Sequence, residues 1–203
     1  MSREDRYSQV LALAEEMFAR EGFHHVSMDD IAERAEVSKP VLYRHFPSKL
    51  DLYLAVVDRR GEALVAAVEA ELADPDGDRT GPEVAHGVVT AFVTFVEQAG
   101  QTSSLLFASD VTRDDAVRAR VESASHRAAA TIRRSLATIT GLPDHEAGLL
   151  AEVLVAMAQA TATSRTRGTA VDTATAVDLV SRLAWSGVRG FVPDEEQDPR
   201  QPT

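Results

Sequence analysis

The chain has 203 residues, no cysteine, 44% hydrophobic residues and a formal net charge of −11. That composition supports a packed core and argues against disorder. The missing cysteine excludes disulfides, thiolate metal sites and cysteine nucleophiles. The charge has the wrong sign for diffuse attraction to nucleic acid, so any contact with a polyanion has to be local.

The opening string MSREDRYSQV is charged and amphipathic, unlike the basic-then-apolar pattern of a secretory leader. Tyr7, Val10, Ala14, Met17 and Phe18 recur at helical spacing, and Gly22 predicts the stop. Ser27 is placed to cap a second helix, with Asp30 answering from the third helical position. Met28, Ile31, Ala32 and Ala35 would be its buried face. Glu36 and Val37 make a turn. Ser38 is expected to cap a third helix over 39–46, with Pro40 in its first turn, where a missing amide costs nothing. Leu42 and Phe46 point inward and Val41 partly so. Lys39, Pro40, Tyr43 and Arg44 point outward. Pro47 ends that helix, and Ser48 with Asp51 forms a second capping box.

A long fourth helix is predicted over 49–73, ended by the loop DPDGDRTGP at 74–82. Further helical segments follow at about 83–99, 103–111, 114–140, 144–167 and 172–190, separated by glycine- and proline-containing breaks. No β-alternation interrupts them. The nearly apolar run from Leu149 to Ala158 is broken by Glu152 and is too short to cross a bilayer. The tail 193–203 is acidic and proline-containing and is expected to be disordered.

The chemistry is concentrated between Val26 and Val57. Lys39 and Lys49 are the only lysines in the chain, and with Arg44 they give 37–50 three fixed positive charges and no carboxylate. Helix, tight turn and helix is the geometry that lays one helix in the major groove while its partner braces across the backbone. A cation, a ring and a guanidinium fork on one outward face suit phosphates and base edges. Packing gives little reason for an outward Tyr43; a hydroxyl reaching a phosphate does. His24 and His25 are adjacent, project in different directions and lack a further ligand at metal spacing, so no metal is expected. No nucleophile motif, glycine-rich phosphate loop or His/Asp/Glu cluster is present. Neither an enzyme nor a cofactor is expected.

This stretch resembles the DNA-binding domain of the tetracycline-repressor (TetR) family of bacterial regulators. The resemblance is carried by Phe18, Gly22, Phe23, Ser27, the Ile31-Ala32 pair, Ala35, Val37-Ser38, Leu42-Tyr43, His45-Phe46, Lys49 and Leu52. It covers about residues 7–57. It implies an all-α homodimer of about nine helices. Residues 1–48 would be the helix-turn-helix domain. Residues 49–192 would be an effector-binding and dimerising bundle with helix four as linker. By that resemblance Ser27 is a phosphate-contacting cap, and Lys39, Pro40 and Val41 begin base reading. Tyr43, His45 and Lys49 contact the DNA backbone, with Ser38 and Arg44 on the same surface. The turn position held by Glu36 is usually glycine in the family, because its backbone tends to the left-handed region. A looser resemblance, in 37–56, 105–111 and 183–190, is to actinobacterial members that sense long-chain acyl-CoA and control fatty-acid synthesis.

The implied partners are a near-palindromic DNA operator, a second copy of the chain and a small apolar effector, in the cytoplasm and without a membrane. Repression is the family habit, and activation of lipid-synthesis genes is the alternative. Phe92, Phe95, Phe107, Met157 and Trp185 are candidate effector-pocket residues, against an ordinary core role. Arg113, Arg118 and Arg120 read as a solvated helix face rather than as a phosphate site. Small residues along 147–164 permit close helix approach. With the apolar residues of the last helix they give a candidate dimer face of Leu150, Leu154, Ala158, Thr161, Leu179 and Leu183.

Overall fold

A computed structural model describes residues 3–73, 79–99, 102, 105, 114–166 and 171–192. Among these, the regular elements are eight α-helices and a closing 3-10 turn at Arg189–Phe191. The helices are α1 (Arg3–Glu21), α2 (Met28–Arg34), α3 (Lys39–His45), α4 (Lys49–Glu71), α5 (Gly81–Ala99), α6 (Asp115–Thr140), α7 (Asp144–Thr166) and α8 (Thr173–Val188). The segment expected at 103–111 lies almost wholly outside the described residues, as does the tail 193–203.

Local chemistry explains most of the boundaries. Gly22 ends α1 at φ +81, a left-handed conformation that costs glycine least. A reciprocal box starts α2: the Asp30 amide donates to Ser27 Oγ at 3.1 Å, and the Ser27 amide donates to Asp30 Oδ2 at 3.0 Å. A related cap opens α4, where the Asp51 amide donates to Ser48 Oγ at 3.1 Å and the Ser48 hydroxyl donates to Asp51 Oδ2 at 2.7 Å. Ser38 departs from the expected pattern. It sits at the N-cap of α3 but its side chain makes no capping bond. Pro40 has no amide to offer, and the amides of Val41 and Leu42 already donate to the Ser38 carbonyl at 2.9 and 3.1 Å. Glu36, in the α2–α3 turn, has φ +53, the left-handed conformation that disfavours a side chain by roughly 1 kcal/mol.

The chain divides into two compact units. The first comprises Met1–Ala67 and Thr94–Arg127. Its aromatic centre is Tyr53, fully buried, with its ring edge-on to Phe18 at 5.2 Å and to Phe23 at 5.1 Å. Ile31, Leu42, Leu52, Val56 and Val57 complete this core. Glu15 of α1 is buried in it, 5% exposed. Its carboxylate accepts from Arg59 Nε at 3.0 Å and lies 3.3 Å from Arg60 Nη1. A buried charge needs such pairing. The Arg60 guanidinium also lies 4.6 Å from the Phe95 ring centroid. Burial lowers the Arg60 pKa, with Glu15 opposing the shift. Helices α4 and α6 meet closely: a Cβ at Gly61 would lie 2.8 Å from Ala124 Cβ. Asp58 and Arg120 pair one turn before that contact.

The second unit comprises Val68–Val93 and Ala128–Thr203. Phe92, Ile132, Leu136, Ala151, Val155 and Ala158 are buried there. Arg133 of α6 holds Asp144, the first residue of α7, at 2.8 Å. Helix α7 has the length and apolar character to cross a membrane. Its Ala147, Ala151, Leu154, Ala158 and Ala162 side, however, is buried within the unit, as in the core helix of a globular bundle. Trp185 of α8 lies against Gly81, where an added Cβ would fall 1.9 Å from the indole ring.

Candidate nucleic-acid interface

Helix α3 is anchored by Leu42, fully buried, and by Phe46, 3% exposed, just past its end. Anchors four residues apart fix which side of the helix faces out. On that outer side stand Lys39, Pro40, Tyr43 and Arg44, all exposed, with Val41 and His45 half-buried. Tyr43 is 45% exposed. The predicted outward set is therefore brought together on one surface, and Ser27 and Ser38, the N-cap residues of α2 and α3, are exposed.

The cations of this surface are not equivalent. Lys39 Nζ donates to Asp29 Oδ2 of α2 at 2.7 Å, with the two side chains 61% and 59% exposed. The hydrogen bond and charge of Asp29 raise the Lys39 pKa, so the ammonium is firmly charged. Asp30 is held below the ordinary carboxylate value by the Ser27 hydroxyl and then the Ser27 amide. The Ser27 hydroxyl is thus engaged in capping α2.

Lys49 does not stand free as the expected phosphate contact. Its ammonium donates to the carbonyl oxygens of Phe23 and Val26, each at 2.9 Å, and sits 4.3 Å from the centre of the Phe23 ring. Two of its three hydrogens are used inside the molecule. The first residue of α4 thereby clamps the α1–α2 connection.

A recess of about 520 Å³ flanks the C-terminal end of α3, lined by Glu4, Tyr7, Arg44 and His45. The Tyr7 ring stacks on Phe46 at 5.0 Å and stands edge-on to His45 at 6.0 Å. Tyr7 reads from spacing alone as a core residue, yet it is 36% exposed. Its position at the polar start of an amphipathic helix was the available signal. Asp29, which sequence reasoning left out, joins the surface through a contact ten residues away in the chain.

The candidate pocket residues lie in different surroundings. Phe92 is fully buried in the second unit, and Phe95 is buried in the first beneath Arg60. Met157 is half-buried on α7. Trp185 lines a cleft of about 390 Å³ with Arg79, Pro82, His86 and Arg182. Phe107 and Arg113 lie outside the described residues. Arg118 pairs with Asp115 at 2.5 Å, and Arg120 pairs with Asp58. Among the candidate dimer residues, Leu154, Ala158 and Thr161 are buried within the protomer and Leu150 is half-buried. Leu179 and Leu183 are 48% and 65% exposed, and on α7 it is Leu149 and Val153 that are exposed. Among the described residues, no group of three or more His, Asp or Glu is placed to hold a metal.

The family model for bacterial regulatory proteins of the tetR family matches residues 10–56, the stretch that builds this surface. The HTH-type transcriptional activator FasR of Mycolicibacterium smegmatis is 35% identical over 189 residues, covering 93% of this chain and 85% of the relative. The HTH-type transcriptional regulator EthR of the same organism is 27% identical, covering 90% and 71%. The crystal structure of a TetR-like transcriptional regulator from Rhodococcus aligns at TM-score 0.72 and 30% identity, over 94% of this chain and 99% of that one. Together with the exposed face of α3, these likenesses establish that the chain belongs to the tetR family of bacterial regulatory proteins, as a DNA-binding transcriptional regulator and not an enzyme.

Proposed function

We propose that the protein is a ligand-responsive regulator that binds a near-palindromic operator as a homodimer, with residues 1–48 as the reading head and 49–192 as the effector-binding and dimerising body. The observation that carries the reading is the outward set Lys39, Pro40, Tyr43 and Arg44 on a helix anchored by Leu42 and Phe46. In an acidic chain this places positive charge where a groove would be met, and steering is local rather than global. Two heads related by a two-fold axis read half-sites about 34–36 Å apart, or a little more, which makes the operator near-palindromic. The cytoplasm, where the chromosome lies, is its place of work.

Homodimerisation is supported by the exposed apolar pairs Leu149 with Val153 on α7 and Leu179 with Leu183 on α8. Each pair is spaced four residues apart, and the two helices pack together, so their apolar rows suit a two-fold four-helix contact. This shifts the α7 part of the dimer face from Leu154, Ala158 and Thr161 to Leu149 and Val153.

A small apolar effector acts by its differential affinity for two dispositions of the heads. Long-chain acyl-CoA is the candidate we favour, from the resemblance of 37–56, 105–111 and 183–190 to acyl-CoA-sensing members. Repression follows the family habit. Activation is a second reading, favoured by the 35% identical relative that is named an activator. Selection from a random duplex pool tests the reading directly and should return a near-palindrome. A melting shift with palmitoyl-CoA but not with free CoA supports the acyl-CoA assignment. A reporter driven by the selected site, with and without the regulator, gives the sign of control. Failure to enrich any duplex would refute the function.

A further inference from the structure

We propose that Asp29 sets the strength of DNA binding: its carboxylate occupies Lys39 in the free protein and must be exchanged for DNA when the head docks. The inference rests on the DNA-binding reading above and adds a residue that the reading does not contain. Lys39 is the first residue of α3 and Asp29 the second of α2. They come from the two helices of the reading motif, across a turn. Lys39 Nζ and Asp29 Oδ2 are 2.7 Å apart, the ordinary length of a charge-assisted bond from an ammonium to an oxyanion. Asp29 therefore stands where a phosphate oxygen would stand for this lysine. Both side chains face water, so the pair is free to open and neither charge is needed to hold the core.

The exchange has two physical consequences. First, a lysine already neutralised by a carboxylate gains less from random phosphate, because docking leaves the carboxylate unpaired beside a polyanion. Second, that cost falls equally on every sequence, so it lowers affinity for matching and random duplexes alike and leaves their ratio, set by base-edge contacts, unchanged. Glu36, exposed in the same turn, adds a second negative charge of the same sense. Asp29 differs from it in holding a reading cation directly.

The test uses the full chain and fluorescence anisotropy on two 30-base-pair probes of roughly three helical turns. One probe is a random-sequence pool, and the other is the duplex enriched from that pool by the wild-type protein. Asp29→Asn keeps the shape and removes the charge, and thermal melting checks that it stays folded. It should bind the random pool at least about threefold tighter and steepen the logarithmic salt slope by about 0.9, the contribution of one newly available cation. The enriched-to-random ratio should stay within about twofold of wild type, because the removed cost is common to both probes. In a Lys39→Met background the added slope should vanish, because no lysine remains to be released. Equal slopes for wild type and Asp29→Asn overturn the proposal. So does the same steepening with and without Lys39, which would make Asp29 only a repulsive charge. If wild-type protein binds neither probe at any salt, the DNA-binding reading itself fails, a result distinct from the other two.

Discussion

Replacing Lys49 separates a clamp from a phosphate ligand. In the structure its ammonium makes two hydrogen bonds of 2.9 Å to the Phe23 and Val26 carbonyls and lies over the Phe23 ring. Hydrogen bonds to a charged group contribute about 1.5–3 kcal/mol each, and a partly exposed cation–π contact about 0.5–1 kcal/mol. The sum is an upper bound, because water can reach the freed carbonyls of this half-buried turn and the terms share one side chain. Lys49→Met, which keeps the stem and removes the donors, should therefore cost about 2–4 kcal/mol of unfolding free energy. Urea denaturation followed by circular dichroism reads this as a lower midpoint with an unchanged slope. The salt dependence of DNA binding should change little under conditions where the variant is folded. Stability within about 0.5 kcal/mol of wild type, together with a salt slope flatter by about 0.9, would refute the clamp and return Lys49 to the phosphates.

Other perturbations report on separate joints of the fold. Gly61→Ala puts a methyl group 2.8 Å from Ala124 Cβ and should cost about 1–3 kcal/mol by overpacking, although alanine is the better helix former; an unchanged midpoint would contradict the close α4–α6 contact. Glu15→Ala leaves Arg59 and Arg60 without their carboxylate. It should cost about 3–4 kcal/mol, the lower part of the range for a broken buried pair because Arg59 still reaches water; thermal and urea unfolding measure it. Leu183→Glu puts a charge into the proposed α7–α8 dimer face at a residue 65% exposed in the protomer. It should leave the protomer folded and shift sedimentation toward monomer, whereas an unchanged dimer would place the interface elsewhere.

The legible parts of the sequence were the local ones. Capping boxes span three residues, so Ser27 with Asp30 and Ser48 with Asp51 could be read directly and are found as hydrogen bonds. The left-handed turn at Glu36 was signalled only by the family resemblance, in which that position is usually glycine. The inward Leu42 and Phe46 follow from four-residue spacing. What escaped the sequence was set by contacts far apart in the chain. Lys49 meets carbonyls 23 and 26 residues before it, Glu15 meets an arginine 44 residues on, and Lys39 meets Asp29 across the turn. Charge type predicts none of these pairings. Helix α7 was harder for another reason. It is apolar on nearly all sides, so periodicity does not tell the face turned inward, with Leu154 and Ala158, from the face left open, with Leu149 and Val153. The aromatic residues of the body posed the same problem. Composition marks Phe92 and Phe95 as apolar, but only the fold places one in each unit.

The central claim is that the outer face of α3 reads DNA. The most direct measurement is the affinity of the protein for its selected duplex across a salt series, with wild type beside a Lys39→Ala, Tyr43→Ala, Arg44→Ala variant. All three side chains are exposed, so the variant keeps the core and should melt near wild type. Wild type should show a steep fall in affinity with salt, and the variant should lose at least about 100-fold at moderate salt with a flatter slope. A folded variant that binds the same duplex with wild-type affinity and wild-type salt dependence would contradict the account.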